Sequence, residues 1–344
     1  MKRVVFTVSA LLTLVLLAAC GTNPSDPTAS ASTSASPSVA APVVPITINI
    51  ASLKGPTTMG LVKIIDDAAK GTAAEDYQAT VYGTPDEVIP LVVQGKLDIA
   101  LIPANLAAVL YNKTKGTDAQ VSVVAVNTLG VLNIVEVGDT IHTMADLKGR
   151  TIYSTGKGAS PEYVLNYLLT ENGLTPGVDV TVEFKSEATE VTAALAAQPG
   201  AVGVLPQPYV TIVQAKVPGA RTALDFTEEW AKVNTDSQLV TGVVVIRNAF
   251  ATEHPDAVAQ FMTDYAASTA FTNEHPADAA PLIVAAGIVP STEIAVAAIP
   301  FCNIVDITGA EMKTTLGGYL AVLFGADSKS VGGSLPGDDF YYGG

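Results

Sequence analysis

DEVIPLVVQGKLDIALIPANLAAVLY, residues 86–111, holds the pattern that decides the fold. Asp86–Gln94 has helical character, Gly95-Lys96 breaks it, and Leu97–Ile102 is an apolar run of strand length. Pro103 ends that run, and Asn105–Tyr111 is helical again. A buried strand between two modest helices is the unit of a parallel sheet covered on both faces. Outward from this stretch the unit repeats. On the N-terminal side lie a period-two strand, Ile46–Ile50, a helix over Gly60–Lys70 and a strand over Gln78–Tyr82. Val121–Val126 follows as a fully apolar strand. A second set comprises strands at Val131–Val137, Thr151–Ser154, Val180–Phe184 and Val202–Leu205, with helices at Pro161–Glu171 and Thr189–Ala197. Val240–Arg247 is one more apolar strand. The chain after Ala249 reads as helical, with prolines 255, 276, 281, 290 and 300 marking starts and breaks. The roughly 300 residues from Ile46 onward exceed the usual size of a single core, so two α/β lobes followed by a helical tail are expected.

Two loops at matching positions of the two sets carry chemistry. Ligands of open parallel sheets bind at the carboxyl ends of strands, where loops meet helix N-termini. Ser52–Gly60 (SLKGPTTMG) and Ser154–Glu162 (STGKGASPE) both hold glycine, lysine, hydroxyl residues and a proline suited to a helix start. Glycine allows close backbone approach, and Thr57 or Thr58 is expected to cap the amides that follow. Free amides and the helix dipole favour an anionic or acceptor-rich ligand.

These segments resemble the solute-binding proteins of ABC importers with the type 2 periplasmic-binding fold, within the nitrate/sulfonate/taurine or NMT1/THI5-like group. The carriers are LKGPTTMG, VIPLVVQGKLDIALIPANLAA and ADLKGRTIYSTGKGASPEYVLNYLL, with VVVIRNAF, EHPDAVAQFM and the closing LPGDDFYY. The resemblance covers residues 46 to about 344. It implies an α/β protein of two lobes, each a mixed, mostly parallel sheet flanked by helices, joined by a two-strand hinge. Lobe 1 would comprise 46–127 plus 245–344 and lobe 2 residues 132–240, with crossings near Asn127–Gly130 and Thr241-Gly242. Ligand binding between the lobes would favour a closed state that presents a composite surface to a membrane permease.

The implied ligand-facing groups are Lys54, Gly55, Pro56, Thr57 and Thr58, then Thr84, Ala104 and Asn105 on the lobe 1 wall. Asn127 and Thr128 sit at the first crossing. Gly156, Lys157, Gly158, Ala159 and Ser160 form the lobe 2 counterpart, with Gln207 and Tyr209 after its last strand. Each has a structural alternative: Asn105 as a helix cap, the two lysines as solvated charges, Tyr209 as core.

The N-terminus places the protein. Lys2 and Arg3 precede an apolar stretch, Val4–Ala19, which ends in Leu17-Ala-Ala-Cys20. The run is shorter than the roughly 20 residues of a membrane span. It resembles the signal peptide (residues 1–19) and lipobox of bacterial lipoproteins, with a plain secretory signal as the alternative. Cys20 would carry lipid, palmitate included, and hold the protein on the extracytoplasmic face of the cell membrane. Residues 20–45 then form a Ser/Thr/Ala/Pro tether, expected to stay disordered and to reach about 25–30 Å.

Losing residues 1–20 removes Lys2, Arg3 and no acid, so a net charge of −15 becomes −17. Such a polyanion does not bind nucleic acid through its overall field. With Cys20 lipidated, Cys302 is expected to be a lone, buried, inert thiol. His142, His254 and His275 are scattered, without metal-ligand spacing or a nucleophile elbow, so no enzyme, metal or cofactor is expected. The expected partners are a small molecule (an anion, a sulfonate or a nitrogen heterocycle) and an ABC permease, with the protein a monomer. A lipid-anchored protein serving a sensor or another transporter is the alternative. No arginine lies in the glycine loops, which disfavours bidentate carboxylate or sulfonate recognition and leaves an uncharged or weakly anionic ring compound open.

Overall fold

The computed structural model describes residues 45–343, so the signal peptide, Cys20 and all of the tether except Pro45 lie outside the described residues. Eleven strands form two sheets among the described residues. They are β1 (Thr47–Leu53), β2 (Asp76–Tyr82), β3 (Ile99–Pro103), β4 (Val121–Leu129), β5 (Leu132–Val137) and β6 (Thr151–Ser154). Next come β7 (Thr181–Phe184), β8 (Val202–Pro206), β9 (Ala220–Asp225), β10 (Val240–Arg247) and β11 (Ile304–Ile307). The helices are α1 (Pro56–Met59), α2 (Val62–Lys70), α3 (Pro85–Val93), α4 (Ala104–Thr114), α5 (Ser160–Glu171), α6 (Ala188–Ala197) and α7 (Tyr209–Lys216). They continue with α8 (Phe226–Val233), α9 (Asn248–Glu253), α10 (Pro255–Glu274), α11 (Pro276–Ala285), α12 (Thr292–Ala298) and α13 (Gly309–Ala326).

The first sheet has the order β11-β4-β10-β3-β1-β2, and the second β7-β6-β8-β5-β9. β1 pairs in parallel with β2 and β3, whereas β10 runs antiparallel to β3 and β4. In the second sheet β5 is the reversed strand, antiparallel to β8 and β9, while β6 is parallel to β7 and β8. Each sheet is therefore mixed, with most strands pointing one way, as expected of the type 2 periplasmic-binding fold. The apolar sequences explain the layout: β4 is buried at every residue but its last, and sits between two strands. β2 lies at an edge, and only Tyr77 along it is fully buried.

The chain passes between the sheets twice among these strands. The first passage is Gly130-Val131, between β4 and β5. The second runs through residues 234–239, because β10 already belongs to the first sheet from Val240. Thr241-Gly242, expected at that passage, lies inside β10, where Gly242 sits opposite Thr128 and Pro103.

Two further departures concern segments with weak local pattern. The tail, expected to be helical, includes strand β11, which extends the first sheet beside β4. Asn303 enters it at φ 42°, a left-handed conformation that Asn tolerates better than most residues. Elements α7, β9 and α8 fill the interval after β8 that the sequence pattern leaves without structure. α13 packs on α5 as well as on β4 and β10, tying the helical tail to the first sheet and to the helix that follows β6. Trp230 of α8 is buried there, 5.1 Å from the ring of Tyr167 and 5.5 Å from that of Tyr319. Fully burying one such large apolar side chain contributes about 1.5–3 kcal/mol. Cys302 is a buried free thiol whose burial pushes its pKa up, which matches the inert cysteine expected. No described helix is long and apolar enough to cross a membrane.

Candidate functional site

Loops from the carboxyl ends of both sheets face each other across a cleft of about 160 Å³. The wall from the first sheet is built on the turn after β1. Gly55 sits at φ 134°, a conformation other residues avoid, and lets Pro56 start α1. α1 is a single turn, with Leu61 preceding α2, rather than the start of one longer helix. Thr57 and Thr58 do not cap it, contrary to expectation. Both hydroxyls donate back to the Leu53 carbonyl, and the Thr58 and Ser52 hydroxyls lie 2.6 Å apart. These threonines are buried and fasten the turn to its own strand, so their hydroxyls are committed within the protein. Lys54 is exposed at the rim. Thr84 follows β2 and forms a reciprocal capping box with Glu87 at the start of α3.

The opposite wall comes from the second sheet. Gly156 (φ 72°) and Gly158 (φ 76°) turn the chain after β6, and a Cβ on Gly156 would sit 2.8 Å from the Pro161 ring. The Gly158 amide donates to Glu162 at 2.6 Å, and Lys157 is exposed. Tyr209 is buried at the start of α7, and burial first, then the charge of Glu187, raises its hydroxyl pKa. It therefore stays a neutral hydrogen-bond donor at neutral pH.

Of the seventeen residues expected to face ligand, Lys54, Thr84, Gly156, Ala159 and Tyr209 line this cleft. Ala104, Asn127 and Thr128 are wholly buried. Asn127 packs against β10: a Cβ on Gly242 would lie 2.6 Å from its Oδ1 and 2.8 Å from Thr57 Cγ2. Asn105 is likewise buried, and it is no helix cap, because Pro103 holds that position. Its amide donates to the carbonyls of Ser330 (2.9 Å) and Gly158 (3.4 Å), and its Oδ1 accepts from Ser160 at 3.1 Å. Asn105, Gly158 and Ser160 thus join α4 to the second glycine loop. Gln207 lines a different cavity, beside the first passage between the sheets.

Sequence reasoning missed Glu187, which precedes α6 and lines the cleft. Its Oε1 lies 3.1 Å from where a Cβ on Gly83 would stand, so the loops after β2 and β7 meet here. The signal was available, since Glu187 follows a strand end as Thr84 does. Among the described residues no group of three His, Cys, Asp or Glu could hold a metal ion. Among the described residues the cleft thus offers one ammonium, one carboxylate and a buried phenol.

The NMT1/THI5-like family model matches residues 76–279. No curated protein matches the chain. Among solved structures, an ABC transporter structure from Parabacteroides distasonis superposes with a TM-score of 0.70 at 23% identity, covering 86% of this chain and 98% of that one. The aliphatic sulphonate-binding protein SsuA of Escherichia coli gives 0.67 at 16% identity, with 87% and 97% covered. The nitrate-binding protein NrtA of Synechocystis gives 0.57 at 12% identity, with 83% and 80% covered. These likenesses establish the type 2 periplasmic-binding fold. With a family model spanning more than half of its residues, the chain belongs to the NMT1/THI5-like family.

Proposed function

We propose that this protein is an extracytoplasmic solute-binding protein, anchored through a lipid on Cys20, that captures a small molecule in the cleft and delivers it to an ABC permease. It works as a monomer and performs no chemistry on its cargo. Lobe 1 comprises 46–127 and 245–344 and lobe 2 comprises 132–240 in this reading, apart from β10, whose pairing puts 240–244 with lobe 1. The observation that carries the proposal is the cleft itself, lined by strand-end loops from both sheets. A ligand touching both walls favours the closed state by its differential affinity alone.

Charge narrows the cargo. Among the described residues Lys54 is the one basic side chain lining the cleft, and Glu187 lines it too. A bare anion such as nitrate or a sulfonate would meet that carboxylate without an arginine fork to offset it. A neutral or zwitterionic nitrogen heterocycle, with ring N–H groups for Glu187 and an acceptor for the Tyr209 hydroxyl, fits better. Thermal shift and calorimetry with pyrimidines, alkanesulfonates and nitrate test this, because a ligand of the folded state raises the melting temperature. A pyrimidine is expected to bind, and Tyr209→Ala to weaken it about tenfold or more. Binding of sulfonates alone would overturn the ligand class. No shift with any of them would count against the solute-binding reading.

A further inference from the structure

A second cavity, of about 650 Å³, opens behind the passage between the sheets. Its walls belong to Gly130-Val131, to β5 and β9 of the second sheet, and to the segment before β11 in the first. In the strand order these lie at the opposite end from β1, β2, β6 and β7, whose loops form the front cleft. It falls in the usual size range of small-molecule sites.

We propose that this cavity is a second binding site, for a small organic cation that also carries a hydroxyl or carbonyl oxygen. Two nearly buried carboxamides present unused groups to it. Gln207 is 6% exposed; its Oε1 accepts from the Thr211 amide and hydroxyl, while its amide nitrogen makes no hydrogen bond among the described residues. Asn133 is 7% exposed and donates to the Val131 carbonyl, leaving its own Oδ1 without a donor among the described residues. A donor and an acceptor, each carried on a side chain more than nine-tenths buried and each open to the same cavity, offer complementary groups to a ligand that has both.

Charge sets the sign. Asp225, Glu228 and Glu229 line the cavity, and Lys232 pairs with Glu229 at 2.6 Å. Asp225 accepts only the Thr227 amide, and Glu228 makes no ion pair among the described residues. These carboxylates surround a volume rather than converge on a point, which suits an organic ammonium better than a metal ion. Phe301, 62% exposed, adds a ring face on which an alkylammonium can rest. The ammonium therefore lies towards Asp225 and Glu228, and the ligand's oxygen accepts from Gln207.

Titrating the purified protein with ethanolamine is expected to give a saturable calorimetric heat with one site. Glu228→Gln, on an exposed position, and Gln207→Leu are each expected to weaken binding about tenfold. Ethylene glycol, which has the oxygen without the charge, is expected to give no response. A response absent in the wild type, unchanged in both variants, or matched by ethylene glycol overturns the proposal. Melting curves of the variants confirm that they fold.

Discussion

At the residue scale, several side chains singled out for ligand are used by the protein itself. Asn105 is the clearest case, since every part of its carboxamide has a partner, on Ser330, Gly158 and Ser160. Removing it leaves the Ser330 carbonyl and the Ser160 hydroxyl short of a partner in a buried place. Asn105→Ala should therefore cost about 2–4 kcal/mol in stability, read as a lowered urea midpoint. A loss under about 0.5 kcal/mol, the level of an ordinary surface substitution, would contradict this bridging role. Asparagine after a strand end is the right residue type for either ligand or scaffold. The choice was not legible in the sequence because Ser330 lies 225 positions away. Gly55 and Gly156 were legible, because a left-handed turn is a local steric demand.

At the element scale, the pairing of β5 with β9 is secured by one carboxylate. Glu136 is wholly buried, accepts from the amides of Thr140 and Ile141 and the Thr140 hydroxyl, and pairs with Arg221 at 2.9 Å. Burial by itself would raise its pKa, but the hydrogen bonds and Arg221 together hold it below the ordinary carboxylate value. A folded-state pKa below the unfolded one means stability that is present above the ordinary carboxylate range and lost as pH falls through the folded value. Glu136→Gln should cost about 2–3 kcal/mol near pH 7, and the gap to the wild type should close on acidification, because the wild type then loses the same charge. Urea unfolding of both proteins across that range checks it; a gap independent of pH would assign the cost to packing. The long apolar strands β4 and β10 were readable in advance, and so was the helix–strand–helix run through β3. The polar β9 and four-residue β11 were not, because such strands are defined by the partner they join.

At the scale of the whole molecule, α13 packs on β4 and β10 of the first sheet and on helix α5, and the strand-end loops meet over the cleft. A lipid on Cys20 would confine this body to the neighbourhood of its permease and raise the effective concentration there. Cys20→Ser is expected to move the protein from the membrane fraction to the soluble one, with cleft affinity unchanged. Retention on the membrane by the variant would remove Cys20 as the anchor. The two cavities lie on either side of the passages between the sheets and differ in the charged residues that line them. Lys54 and Glu187 line the front, whereas the rear holds Asp225, Glu228 and a Glu229 already paired with Lys232.

The sequence alone determined what short-range physics controls: which runs are apolar enough to be central strands, where glycine must turn the chain, and where proline opens a helix. Together with the motifs along residues 46–344, this was sufficient for the fold class and the family. Only the tertiary structure decided which face of each loop meets the cleft. Gln207 and Tyr209 stand two residues apart, yet one lines the rear cavity and the other the front. The physical reason is that β8 lies between β6 and β5 in the sheet, so the loop at its end borders both spaces. That strand order depends on pairings between distant segments, which no local pattern encodes.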